Sequence, residues 1–187
     1  MLTMAVGQSD DVDPADAIAG AIEQCRAALG GRRPQAGLLF TAFDSFAPAS
    51  LAAVRNAFPG VSIMGATSSA EISSPGGYQE DSLTLALFAS DDIEITAGAG
   101  SGLGIDVEAA CRAAAEQALA GTTREPKIAV VLAEGFVVDP QLTLNAMARA
   151  LPPGVTIVGG TSARRDFVTV TPTGIGTSCF PMRDMAQ

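Results

Sequence analysis

The sequence predicts an α/β fold built from an internal duplication, on three observations. Apolar runs of strand length alternate with segments whose apolar residues recur at helical spacing. Some of those runs are apolar almost without interruption, the pattern of strands covered on both faces. A strand–helix–strand–helix–strand order also occurs twice, at a nearly constant separation along the chain.

The first unit opens with "LTMAVGQS" (2–9), a short strand that runs into a polar turn. Residues 13–29 follow as an amphipathic helix, with Asp13 as N-cap, Pro14 at the first helical position and Gly30-Gly31 as the stop. Ala17, Ile18, Ala21, Ile22, Cys25 and Leu29 form its apolar stripe. "AGLLFTAF" (36–43) is a near-continuous apolar strand. A helix over about 48–58 carries Leu51, Val54 and Phe58 on one face, Pro59-Gly60 ends it, and a strand returns over 61–66. "TSSAEI" and the loop "SSPGGYQED" then lead to a strand over 82–89.

The second unit begins with a strand over 93–100 and a helix over 105–120 whose inward residues include Val107, Ala110, Cys111 and Ala114. A strand over 128–136, a helix over 140–151 with Leu144, Met147 and Leu151 on one face, and a strand over 155–159 follow. "FVTVTPTGIGTSCF" reads as two strands around a Pro172–Gly174 turn. Leu51 and Leu144, Val54 and Met147, and Phe58 and Leu151 are each 93 residues apart, while Gly65 and Gly159, and Thr67 and Thr161, are 94 apart. Residues 1–187 are therefore expected to form one domain of two β-α-β-α-β-β pseudo-repeats, 1–91 and 92–187. Helical crossovers favour parallel pairing within a unit, and the short final connection adds an antiparallel strand, so mixed sheets flanked by helices follow.

Composition removes several functions. The chain is 48% apolar and 17% charged, a globular balance. With 11 Lys and Arg against 20 Asp and Glu, its net charge of −9 gives no basic surface for phosphates. Neither nucleic acid nor an acidic membrane face is an expected partner. No apolar run has the ~20 residues needed to span a bilayer. "MLTMAVGQSDD" lacks the basic start of a signal peptide, and the expected compartment is the cytoplasm. Cys25, Cys111 and Cys179 are too scattered for a CxxC pair, and the first two fall in helical apolar patterns as buried thiols. Histidine is absent, which excludes Ser-His-Asp and Cys-His nucleophiles and an HExxH zinc site.

Chemistry concentrates where strands end in glycine. "VSIMGATSSAEI" (61–72) and "VTIVGGTSARRD" (155–166) both run from an apolar strand through glycine to Thr-Ser and then a charge. Gly65, Gly159 and Gly160 permit close approach of backbone or ligand, and Thr67, Ser68, Thr161 and Ser162 supply hydroxyls. Ligands in α/β sheets collect at such carboxyl ends of parallel strands. Glu71 in one copy and Arg164 in the other would suit the amine and carboxylate of a small zwitterion. The alternative is plain turn chemistry, with these charges, Arg165, Asp44 and Glu134 solvated. "GAGSGLG" (98–104) misses GxGxxG, has no Walker lysine, and is followed by Asp106 and Glu108, which repel phosphate.

"GATSSAEI", the preceding "GLLFTAF" and the later "VGGTSA" resemble the N-terminal domain of FIST proteins, a sensory module of bacterial signal transduction proteins and some eukaryotic F-box proteins. Ala66 stands where that family often has cysteine, and Ala70 where it often has glycine. The companion C-terminal domain is missing from the sequence, which would make the chain a short member or one domain of a longer one. The resemblance implies a sensor that binds a small ligand such as an amino acid and signals to kinases, cyclases or chemoreceptors. Some members bind haem, but a chain without histidine would need another ligand, and no cofactor is expected. The competing expectations are a ligand-free interaction scaffold and a carboxylate-based enzyme.

Overall fold

A computed structural model describes residues 1–42, 48–135, 138–162 and 180–181. Its first half is a mixed sheet with two helices on one face. The strands are β1 (Leu2–Ser9), β2 (Ala36–Ala42), β3 (Ser62–Ser68), β6 (Leu83–Ser90) and β9 (Phe180–Pro181), in the order β1-β6-β2-β3-β9. β2 and β3 run parallel, joined through α2 (Pro48–Ala57); β6 lies antiparallel to both β1 and β2. α1 (Pro14–Leu29) connects β1 to β2. The fold class is α/β, as the alternation of periods predicts.

α1 starts where Asp13 accepts hydrogen bonds from the backbone N–H groups of Ala15 (2.8 Å) and Asp16 (3.3 Å). It stops at Gly30 in the left-handed conformation. Its stripe of Ile18, Ile22, Cys25 and Leu29 is buried against Leu85 and Leu87 of β6, and Leu39 of β2 and Val54 of α2 close the same core. Burial pushes the Cys25 thiol up to about 11, and its Sγ donates to the Leu85 carbonyl at 3.4 Å. Burial also raises Cys111, so both are neutral packed thiols, as expected. Cys179 lies outside the described residues.

The second half holds α3 (Val107–Ala120), β7 (Ile128–Ala133), α4 (Pro140–Ala150) and β8 (Thr156–Thr161), with β7 and β8 parallel. Cys111, Ala115, Ala146 and Met147 form its core, backed by Val131 and Ile157. Leu144, expected on one face with Met147 and Leu151, is 45% exposed. Thr143, Ala146 and Met147 are the buried positions of α4, and Ala146 and Met147 pack with Cys111 and Ala115 of α3.

The expected strand over 93–100 is irregular chain with no ladder partner among the described residues. Its glycines serve a helix: a Cβ on Gly98 or Gly100 would lie 2.0 Å from the Ala114 carbonyl oxygen or 1.9 Å from that of Ala110 on α3. The segment read as a loop over 73–81 holds a hairpin, β4 (Ala70–Ser73) with β5 (Gly77–Glu80). The two strands expected around Pro172–Gly174 lie outside the described residues, apart from Phe180.

Glu94 anchors this segment to the residues that follow α3. Its carboxylate accepts from the Thr123 hydroxyl (2.5 Å) and amide (2.9 Å), the Thr122 hydroxyl (2.8 Å) and the Arg124 amide (3.1 Å). These donors, the Thr123 hydroxyl first, hold its pKa down at about 2. The folded state thus binds this proton less readily than the unfolded chain, where a glutamate titrates near ~4.3. The clamp's contribution is therefore complete above that value and is lost as pH falls through about 2. Urea titrations should show the gap between the native protein and Glu94→Gln closing across that window; a gap unchanged down to pH ~2 would refute the clamp.

Candidate functional site

The two Gly-Thr-Ser stretches meet. Thr67 and Ser68 of β3 and Gly159, Gly160 and Thr161 of β8 line a single groove of about 300 Å³. Strand alternation explains its walls. Leu39 and Ile63 point to the helices of the first half, which leaves Phe40 and Ala66 for the opposite face. Val131 and Ile157 likewise point to α3 and α4, leaving Val130, Leu132 and Val158 across the groove. The walls are apolar, the polar atoms sit at strand ends, and no charged side chain of the described residues is among the lining.

The glycines hold equivalent places in the two parallel pairs. Gly65 stands opposite Leu39, and Gly159 opposite Val131. A Cβ on Gly65 would lie 2.1 Å from the Leu39 carbonyl oxygen, and one on Gly159 would lie 1.9 Å from that of Val131. Gly65 is thus a packing residue behind the groove. The Thr-Ser stretch expected to be a turn belongs to strand in the first copy, because pairing with β2 continues to Ala42↔Ser68. In the second, β8 ends at Thr161.

Glu71 does not line the groove. It is only 4% exposed, and its carboxylate accepts from the hydroxyls of Ser68 and Ser82. Ser82 Oγ in turn accepts from Gln8 Nε2 at 3.3 Å, and Gln8 Oε1 accepts from the Ser73 hydroxyl. The Ser73 Oγ accepts the Gly76 amide at 3.1 Å, so the network reaches from the groove to the hairpin turn. Gln24 on α1 is tied in by reciprocal bonds with the Gln8 backbone, at 2.9 and 3.1 Å. Sequence patterns showed the hydroxyls but not this orientation, since Glu71 follows a polar stretch that looks solvated.

Ser162 is 3% exposed and joins the ends of β7 and β8: its amide donates to Ala133 O at 2.8 Å, and its Oγ accepts from the Gly135 amide at 3.3 Å. Thr67 is buried, and its hydroxyl has no protein partner among the described residues. Arg164, Arg165 and Asp44 lie outside the described residues. Glu134 follows β7, half-buried and outside the groove lining. No cluster of three metal-ligating side chains occurs among the described residues, and no described helix is long and apolar enough to cross a membrane.

A family model for the FIST N domain matches residues 35–178, which takes in both glycine stretches, the hairpin and the walls of the groove. β1 and α1 precede the matched span although they share its core. No curated protein matches the chain.

Proposed function

The chain belongs to the FIST N-domain family of signal transduction sensory domains, and from that premise we propose that it binds a small molecule in the groove between its two parallel strand pairs. One observation carries this. Two stretches 94 residues apart, alike in sequence, supply the polar ends of the same concave, apolar-walled space. We read 1–91 and 92–187 as pseudo-repeats of a single domain that share one ligand site, and the equivalent registers of Gly65 and Gly159 support this. The protein acts as a sensor in the cytoplasm and not as an enzyme, passing occupancy to a partner such as a kinase, a cyclase or a chemoreceptor. Neither nucleic acid nor a membrane is a partner of a chain this acidic.

A thermal-shift screen of amino acids, small carboxylates and neutral heterocycles tests the proposal. A ligand at about 100 times its dissociation constant stabilises the fold by about 2.7 kcal/mol. That corresponds to roughly 5–10 °C in a domain of this size. A flat response across the library would point to a ligand-free scaffold. That second function has one feature in its favour: Ile72 and Tyr78 face each other across the hairpin, 78% and 62% exposed.

A further inference from the structure

The direction of the hydrogen bonds around Glu71 specifies what the groove can accept. Ser68 Oγ and Ser82 Oγ each donate to a different carboxyl oxygen of Glu71. The next link agrees, because Ser82 Oγ is the acceptor for the Gln8 amide. Ser68 has therefore committed its single proton inward, and it meets the groove with lone pairs only.

The remaining surroundings narrow the ligand further. Phe40, Ala66, Val130, Leu132 and Val158 make the walls apolar, and apolar walls disfavour the burial of an ammonium or a carboxylate. We infer that the groove takes an uncharged, largely apolar molecule that donates a hydrogen bond to Ser68 Oγ. Glu71 is the positioning residue that sets the direction of that bond. This rests on the groove being the ligand site, and it narrows the ligand to a class that excludes free amino acids.

Calorimetric titration of the unaltered chain with indole and benzofuran is the direct test, because the two rings are isosteric but only indole has an N–H. Indole should bind about tenfold or more tightly than benzofuran, and L-phenylalanine and benzoate should bind more weakly than either. In Glu71→Gln the new amide donates to Ser68, which turns its proton toward the groove, so the preference for indole should vanish or invert. Ser68→Ala, which leaves the walls intact, should abolish the preference without abolishing binding. Equal binding of indole and benzofuran by the unaltered chain would overturn the inference, even if Glu71→Gln does not fold. Tight binding of L-phenylalanine or benzoate would also overturn it while leaving the groove as a ligand site. Should neither these probes nor any library compound bind, the groove itself is lost along with the inference.

Discussion

Replacing Gly65 with alanine is expected to cost about 3 kcal/mol and to lower the melting temperature by roughly 6–12 °C. The added methyl would stand 2.1 Å from the Leu39 carbonyl oxygen, on the adjacent strand of the central sheet. Neither atom can swing away as the tip of a flexible side chain would. Relief requires β2 and β3 to separate, and that opens the core where Leu39, Ile63 and Val54 meet. Gly20→Ala is the informative control. Gly20 lies inside α1, its nearest neighbour to an added Cβ is the Ser9 Oγ at 3.9 Å, and alanine there should gain about 1 kcal/mol from helix propensity. The same chemical change should thus move stability in opposite directions at two sites. A melting temperature for Gly65→Ala within ~2 °C of the native value would mean that the strands tolerate more separation than their ladder implies.

The parts legible in the sequence are those decided by local chemistry. Asp13, Pro14 and Gly30 delimit α1 because capping and chain reversal depend on residues a few positions apart. The apolar strands β2, β3 and β6 declare themselves by composition. The hairpin did not, because its inward positions are Glu71 and Ser73, satisfied by Ser82 and Gln8 from distant strands in place of apolar contact. Period-2 hydrophobicity cannot reveal a face buried by a polar network. The segment 93–100 misled for a related reason: its Ile93 and Ile95 look like a strand, whereas Gly98 and Gly100 are set by the approach of α3. Leu144 shows that apolar spacing alone does not fix a helix's inward face, since α4 buries Thr143, Ala146 and Met147 and leaves Leu144 45% exposed. For the site, the repeated Gly-Thr-Ser pattern identified five of the groove's lining residues. That the two copies face one space, and that Glu71 stands behind Ser68, depends on contacts far apart in sequence.

The paired glycines of β8 separate fold from function, and Gly160→Phe is expected to abolish binding while leaving the fold intact. The neighbours differ in kind. Gly159 has φ 141°, and its Cβ would lie 1.9 Å from the Val131 carbonyl oxygen, so it exists for the close approach of β7. Gly160 has ordinary negative or extended φ, and among the described residues nothing lies within 4 Å of a Cβ built there. Alternation puts position 160 on the same side as Val158, toward the groove, so a phenyl group would occupy the ligand's volume without entering either core. Affinity for the compound that raises the native melting temperature should fall by about 100-fold or more, since an aromatic side chain fills much of a 300 Å³ groove. The melting temperature of the unliganded variant should stay within ~2 °C of native, whereas Gly159→Ala should lose about 3 kcal/mol. Calorimetry on Gly160→Phe supplies the affinity, and its far-ultraviolet dichroism reports whether the fold survived. A variant that folds normally and still binds at native affinity would place the ligand somewhere other than between the two strand pairs.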